Sequence, residues 1–437
     1  MAGGIPHAVI AFVVALSVIV AVHEYGHYIV GRWSGISAEV FSIGFGPVLW
    51  SRHDRRGTKW QLAAIPLGGY VRFLGDANAA SAGKSDDVGE MSPEDLRRTM
   101  AGAPLWARAA TVFAGPLFNF IFSIVVLFGL YLFIGAPGHP PKVVDMYPLP
   151  YEGIEIQPGD RILKIAGTDY PETGLREIVD GLPGQGALIP YEVERNGQVI
   201  EVQGPRLFPS RIGEVSQRMP GERAGLQVGD VILSADGQEI VRFLELIDIV
   251  EASNGAPVAL TVWRDGEVMQ FAISPQRKDL PKPDNTFETR WLIGIGNGLF
   301  FSPEMEPMGI GAAARNAVQR TYEVGAQSLS GLYHIVAGKI STCNLGGAVG
   351  IARVSSAMAK AGPTEFIGFI AFLSTAIGLL NLFPIPVLDG GHLVFYAYEA
   401  VTRRKPNEKI MGVLVTIGLV FVLSVMLFGL SNDFLCP

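Results

Sequence analysis

Cysteine is nearly absent from this chain: Cys343 and Cys436 are the only two in 437 residues. That excludes a disulfide framework and a cysteine-rich zinc module. Ordinary usage reads the pair as inert thiols, with a single bridge open to them in an oxidising compartment. Basic residues are also short. Lys and Arg total 34 against 41 Asp and Glu, and the net charge of −7 argues against a general nucleic-acid surface. Charge of either sign makes up 17% of the chain, against 49% hydrophobic residues and a mean hydropathy of +0.32. A single soluble domain is not that apolar, and the length suggests two or three domains. Met1 to His7 holds no Lys or Arg, so the positive leader of a cleaved signal peptide is missing. The apolar run that follows reads as a retained membrane span.

Four apolar segments are long enough to cross a bilayer: about 8–30, 109–134, 365–388 and 410–430. The loop after the first carries ten Lys and Arg, among them Arg52, Arg55, Arg56 and Lys59. The loop before the last reads Arg403-Arg404-Lys405. The positive-inside rule puts both loops in the cytoplasm, and both termini and the long central region outside.

The first span contains His23-Glu24-Tyr25-Gly26-His27. Residues four apart share a helix face, so the two imidazoles can meet one metal ion, and Glu24 can reach a water beside it as general base. Ionisable residues inside a span are costly and mark function. A catalytic zinc needs a third protein ligand. Asn381-Leu382-Phe383-Pro384-Ile385-Pro386-Val387-Leu388-Asp389-Gly390-Gly391-His392 closes the third span, which runs outside to inside like the first. Depth and carboxylate–zinc chemistry favour Asp389, with His392 as the rival. Gly44-Phe45-Gly46-Pro47 and Ile65-Pro66-Leu67-Gly68-Gly69-Tyr70 lie in segments too short to span, which read as strands or a re-entrant hairpin.

The middle of the chain is repeated. Gln157-Pro158-Gly159-Asp160-Arg161-Ile162-Leu163 returns as Gln227-Val228-Gly229-Asp230-Val231-Ile232-Leu233, and Arg195-Asn196-Gly197 returns as Arg264-Asp265-Gly266. This spacing gives two tandem copies of a fold of about 70 residues. The repeated string, preceded in the second copy by Ala224-Gly225-Leu226, resembles a bacterial PDZ domain, a module that binds extended peptide by strand addition. The first copy has Glu152-Gly153-Ile154 there instead, which puts its groove in doubt. Beyond the repeats, Val318, Tyr322, Leu329, Leu332, Tyr333 and Val336 recur at helical spacing. They predict an amphipathic helix whose apolar face packs on protein.

HEYGH in the first span, a distal N-L-F-P-x-P-x-L-D-G-G-H, four spans and two inserted PDZ-like copies resemble the site-2 protease family over essentially the whole chain, and within it the bacterial branch with paired PDZ modules. The resemblance implies an intramembrane zinc metalloprotease of the bacterial inner membrane, with Zn2+ on His23, His27 and Asp389 and Glu24 activating water. It implies substrate-handling roles for Asn381, Pro384 and Pro386, and a re-entrant β-loop at Gly44, Phe45 and Gly46. Asn119 falls in the family's second-span motif. The implied partners are the lipid bilayer and single-pass membrane substrates of the anti-sigma-factor kind, trimmed beforehand, with remnant signal peptides as a further class. Peptide or trimmed substrate ends would meet the PDZ modules outside, and no nucleic acid is involved.

The expected fold is therefore a multi-pass α-helical membrane protein of four transmembrane helices, with a re-entrant β-hairpin and two extracytoplasmic α+β PDZ domains. The expected segments are 1–137 for the first two spans and loop, 138–206 and 207–278 for the PDZ domains, 279–364 for a linker with the amphipathic helix, and 365–437 for the last two spans. Two other classes compete. A PDZ scaffold with a structural metal would show four protein ligands and no free adjacent carboxylate. A metal transporter would show inverted repeats.

Overall fold

The computed structural model describes residues 5–76, 91–171, 186–282 and 286–435. They form two compact units, one within residues 1–133, 309–332 and 343–436, the other within 134–308 and 333–342.

Four helices of the first unit are long and apolar enough to cross a membrane: Ile5–Trp33, Leu105–Phe133, Pro363–Asn381 and Glu408–Leu435. The last leaves Ile410, Val413, Ile417, Val420, Met426 and Leu427 about 60% exposed. Water does not tolerate an apolar surface of that extent, whereas bilayer hydrocarbon covers it at no cost. Small residues bring the spans together. A Cβ on Gly26 would lie 2.5 Å from the Ala114 carbonyl oxygen of the second span. Hydroxyls join the second span to the third. Ser123 Oγ donates to the Ala371 carbonyl at 2.6 Å, Ser374 Oγ to the Asn119 carbonyl at 3.1 Å, and Thr375 Oγ1 to Ser123 Oγ at 2.9 Å.

The third span is shorter than its apolar run. Its helix stops at Asn381, a turn follows, and a separate helix Asp389–Thr402 begins at the carboxylate. Pro384 and Pro386 lack the N–H that would carry a helix through this stretch. Asp389 thus opens a new helix rather than closing the span.

Between the first two spans the chain forms strands Ala38–His53 and Lys59–Phe73, both sharply bent. Residues 40–43 pair with 69–72 on one side and 59–62 on the other, while 48–53 pair with 59–63. The outcome is a four-stranded order with 69–73 and 48–53 as its edges. Gly44 and Gly46 make the bend at φ of +90° and +81°, and a Cβ on Gly44 would press on the Ala63 and Ile65 carbonyls. Tyr28, Phe41, Val71 and Phe73 pack this sheet onto the first span.

Two further expectations are corrected in these segments. In the helix Ile310–Val336, Val318, Tyr322, Leu329, Tyr333 and Val336 are exposed, whereas Ala313, Ala317, Thr321 and Val324 are buried. The small-residue face packs because it allows close approach, and the large apolar stripe is left outward. Cys343 is disulfide-bonded rather than an inert thiol. Nearby, the Asp433 carboxylate accepts from the backbone N–H groups of Gly347, Val349 and Gly350 at 3.0–3.1 Å. This capping of the helix Ala348–Ala361 ties the stretch after Cys343 to the end of the fourth span.

The second unit holds two modules of one architecture. Their sheets run 168–169, 161–165, 188–195, 198–205 and 238–239, 231–235, 258–264, 267–273, in the same order. Each repeated Gly-Asp supplies a buried carboxylate to the arginine before the Asn-Gly or Asp-Gly turn. Arg195 meets Asp160 at 2.7 Å through both Nε and Nη2, and Arg264 meets Asp230 at 2.6 and 2.7 Å. The second module holds a short helix Pro220–Ala224, closed by Gly225 in the left-handed region, and a longer one, Phe243–Ala252. At 152–154 the first module has no helix. Residues 287–303, expected to begin a linker, are part of the modules. Strand Ile295–Asn297 pairs with Ile212–Val215, strand Phe301–Pro303 pairs with Val143–Met146, and Phe300 and Phe301 complete the first module's core. The unit's longer segment, 134–308, begins and ends on one pairing, Ala136–Pro137 with Met305–Glu306.

Candidate active site

One turn of the first span sets His23 and His27 above one another, and the break after the third span brings Asp389 to them. His23 Nε2 lies 3.1 Å from Asp389 Oδ2, His27 Nε2 lies 3.6 Å from Asp389 Oδ1, and the two Nε2 atoms are 3.1 Å apart. Each of the three residues offers one donor atom within 4.8 Å of the others, and no second group of three His, Cys, Asp or Glu donors occurs among the described residues. The donor set suits a cation. Asp389 Oδ2 is buried with no hydrogen bond of good geometry, and His23 Nε2 lies 3.1 Å from it. The Thr111 carbonyl takes the His27 Nδ1 proton at 2.8 Å, which leaves Nε2 its lone pair. Two imidazoles and one carboxylate would make a three-ligand set with a fourth position open, the pattern of catalytic zinc sites.

The second span makes room for this cluster. A Cβ on Gly115 would fall onto His27 Nε2 and Cε1 and within 2.9 Å of His23 Cε1. Gly115 and Thr111 are site residues that motif reading does not single out. The available signal is a Gly-Pro pair inside an apolar helix, where close approach is expected. Asn119 lies one turn further, fully buried, with Nδ2 3.2 Å from His23 Nδ1.

Glu24 faces the sheet. The Val71 backbone N–H hydrogen-bonds its carboxylate, and Gly69 lies against its side-chain methylenes. The edge strand 69–73 therefore flanks the site. Phe45 stacks on Tyr70 with ring centroids 5.9 Å apart, which brings the Gly44–Gly46 bend to the same edge. Beside it, Val22, Tyr25, Phe118, Phe41, Ile43 and Trp60 line an open apolar cleft of about 450 Å³. Of the other expected residues, Asn381 is half-buried at the end of its helix, Pro384 is exposed and Pro386 half-buried in the turn before Asp389. His392 is not among the three converging donors.

Arg108 lies nearly two turns before Gly115. Its guanidinium donates to both Glu399 oxygens, at 3.0 and 2.6 Å, and covers the Tyr396 ring at 5.2 Å. This pair fastens the helix that begins at Asp389 to the second span. The arginine holds the Glu399 carboxyl below the usual carboxylate range, against the opposing effect of burial. In the second module, Phe243, Leu246, Ile247, Ile293 and Ile295 line a groove of about 560 Å³ between helix Phe243–Ala252 and the segment 293–297.

Membrane helices around two histidines and a carboxylate define a membrane-embedded metallohydrolase. The chain belongs to Peptidase family M50, whose profile it matches over residues 11–425. It is 34% identical over 432 residues to an Agrobacterium fabrum protein named as a zinc metalloprotease, covering 97% of this chain and 95% of the relative. A Vibrio cholerae protein of the same name is 30% identical over 456 residues, covering 97% and 98%. The regulator of sigma E protease of Salmonella typhimurium is 30% identical over 455 residues, covering 97% of each. The chain is a zinc-dependent metalloprotease of the site-2 type.

Proposed function

We propose that His23, His27 and Asp389 hold the zinc and that Glu24 is the general base of intramembrane peptide hydrolysis. The convergence of three donors within 4.8 Å carries this reading. Zinc bound there would supply Lewis acidity at the scissile carbonyl and would lower the pKa of water towards neutrality. Glu24 removes the proton from the attacking water and returns it to the leaving amine. The Asn381 amide is the candidate donor to the developing oxyanion.

A transmembrane substrate keeps its carbonyls inside its own helix, and hydrocarbon offers no replacement partners. The sheet between the first two spans, dipping back into the membrane, would supply them. Its 69–73 edge runs beside Glu24, with Gly44, Phe45 and Gly46 shaping the bend, so an unwound substrate can add as a further strand there. The turn around Pro384 and Pro386, where neither proline has an N–H to donate, would offer backbone carbonyls for similar work.

The substrates are transmembrane segments of single-pass proteins, with an anti-sigma factor trimmed outside as the first candidate and remnant signal peptides as the second. The Salmonella relative's name supports the first. We read the two modules as PDZ domains on the outer side of a bacterial inner membrane. The disulfide at Cys343 fits an oxidising compartment on that face. The second module's apolar groove suits an extended peptide or a trimmed end, and the pair would exclude substrates that still carry bulky external domains.

The test is Glu24→Gln in the full chain, with zinc content and cleavage of a reporter transmembrane substrate measured together. Cleavage is expected to vanish while close to one equivalent of zinc stays bound. Zinc loss would show that Glu24 is a ligand, and undiminished cleavage would remove it as the base. A scaffold or a transporter would cleave nothing in either form.

A further inference from the structure

The two histidines differ in what their Nδ1 atoms face. His27 Nδ1 meets a carbonyl, which only accepts, so its Nε2 is free to ligate. His23 Nδ1 meets the Asn119 side-chain amide at 3.2 Å, and the other end of that amide, Oδ1, is buried with no partner. Asn119 has no exposed surface, and its Cβ sits where a Cβ on Gly378 of the third span would touch it at 2.9 Å. A carboxamide with one orphaned end inside a membrane span costs about 1–3 kcal/mol relative to an apolar side chain of the same shape. A position that served packing alone would be filled by such a side chain.

We infer that Asn119 is the positioning residue for His23, its Oδ1 accepting the Nδ1 proton and thereby aiming the Nε2 lone pair at the metal. A half-turn of the amide about its Cβ–Cγ bond exchanges Oδ1 and Nδ2 and moves no other atom. Asn119 then does for His23 what the Thr111 carbonyl does for His27, both from the second span and both across the gap that Gly115 keeps open. The span is a backing plate that sets the proton on each imidazole.

The inference rests on the assignment of His23 as a ligand, so zinc affinity of the native full chain in detergent is measured first, by competition with a chromophoric chelator. Failure of the native chain to bind zinc would overturn the ligand assignment itself. Given native binding, Asn119→Leu removes the acceptor at nearly constant volume and is expected to weaken zinc binding about 10- to 100-fold. Asn119→Asp keeps an oxygen towards Nδ1 and is expected to stay within about threefold of native affinity, as carboxylate-backed histidine ligands do. Cobalt substituted for zinc should show an altered visible spectrum in Asn119→Leu and a native one in Asn119→Asp. If Asn119→Leu does not fold, Asn119→Ala takes its place with the same expectation. Native affinity in the variant without an acceptor, or equal weakening in both variants, would show that Asn119 only packs.

Discussion

Gly115 packs so closely on His27 that any side chain there would occupy the space of the Nε2 atom. The convergence of the two imidazoles and Asp389 therefore depends on an absence in the neighbouring span. Gly115→Ala is expected to weaken zinc binding about tenfold or more, with a parallel loss of proteolysis. Gly129→Ala on the same helix, where a Cβ would meet nothing within 4 Å, is expected to change neither. Zinc titration of both variants checks the pair.

Asp389→Ala should deplete zinc, since two imidazoles alone leave the ion under-coordinated. His392→Ala should retain it. Metal analysis of the purified variants decides, and the reverse pattern would hand the third position to His392.

The topology predicts that residue 198 is outside and residue 407 inside. Both positions are exposed, so Gln198→Cys and Asn407→Cys can each react with a thiol reagent that does not cross the inner membrane. Gln198→Cys should label in intact cells and Asn407→Cys only after the membrane is opened. Labelling of the second in intact cells would invert the arrangement.

The Arg108–Glu399 pair predicts a pH-dependent contribution to stability. Its carboxyl titrates below the usual range when folded, so its stabilisation is present in full above the unfolded value, about 4.3. It is lost as pH falls through the lower folded value. Glu399→Gln is expected to destabilise the chain by roughly 1.5–3 kcal/mol at pH 7, as for a hydrogen bond to a charged group. The gap to the native chain should close in acid. Apparent melting temperatures across a pH series measure it.

Much of the site was readable because its spacing is local. His23, Glu24 and His27 lie within five residues, and helix geometry alone puts both imidazoles on one face. Asp389 was reached through depth in the membrane, yet its position at the head of a new helix depended on two prolines ending the span early. Thr111 contributes only a carbonyl, which any residue carries, and Gly115 acts through empty space. Neither leaves a mark on periodicity. The repeated Gly-Asp strings announced two modules, but strands as short as 295–297 and 301–303 are set by tertiary pairing and fell outside the expected limits. In helix 310–336 the large apolar residues looked like the packed face, and alanines took that place because they allow closer approach.

The pairing of 136–137 with 305–306 has a consequence for how this chain can be remade. The chain from 138 to 304 leaves and returns through two neighbouring strands, a strand spacing of about 4.8 Å apart, and is tied once more to segment 333–342 through the Ser341 N–H on Asp279. Topologically it is a graft with a closed stem. One module could be dropped, duplicated or exchanged between relatives, and the two ends would still leave side by side. The membrane-helix unit of such a chain is free to keep its register while the inserted modules are rewritten.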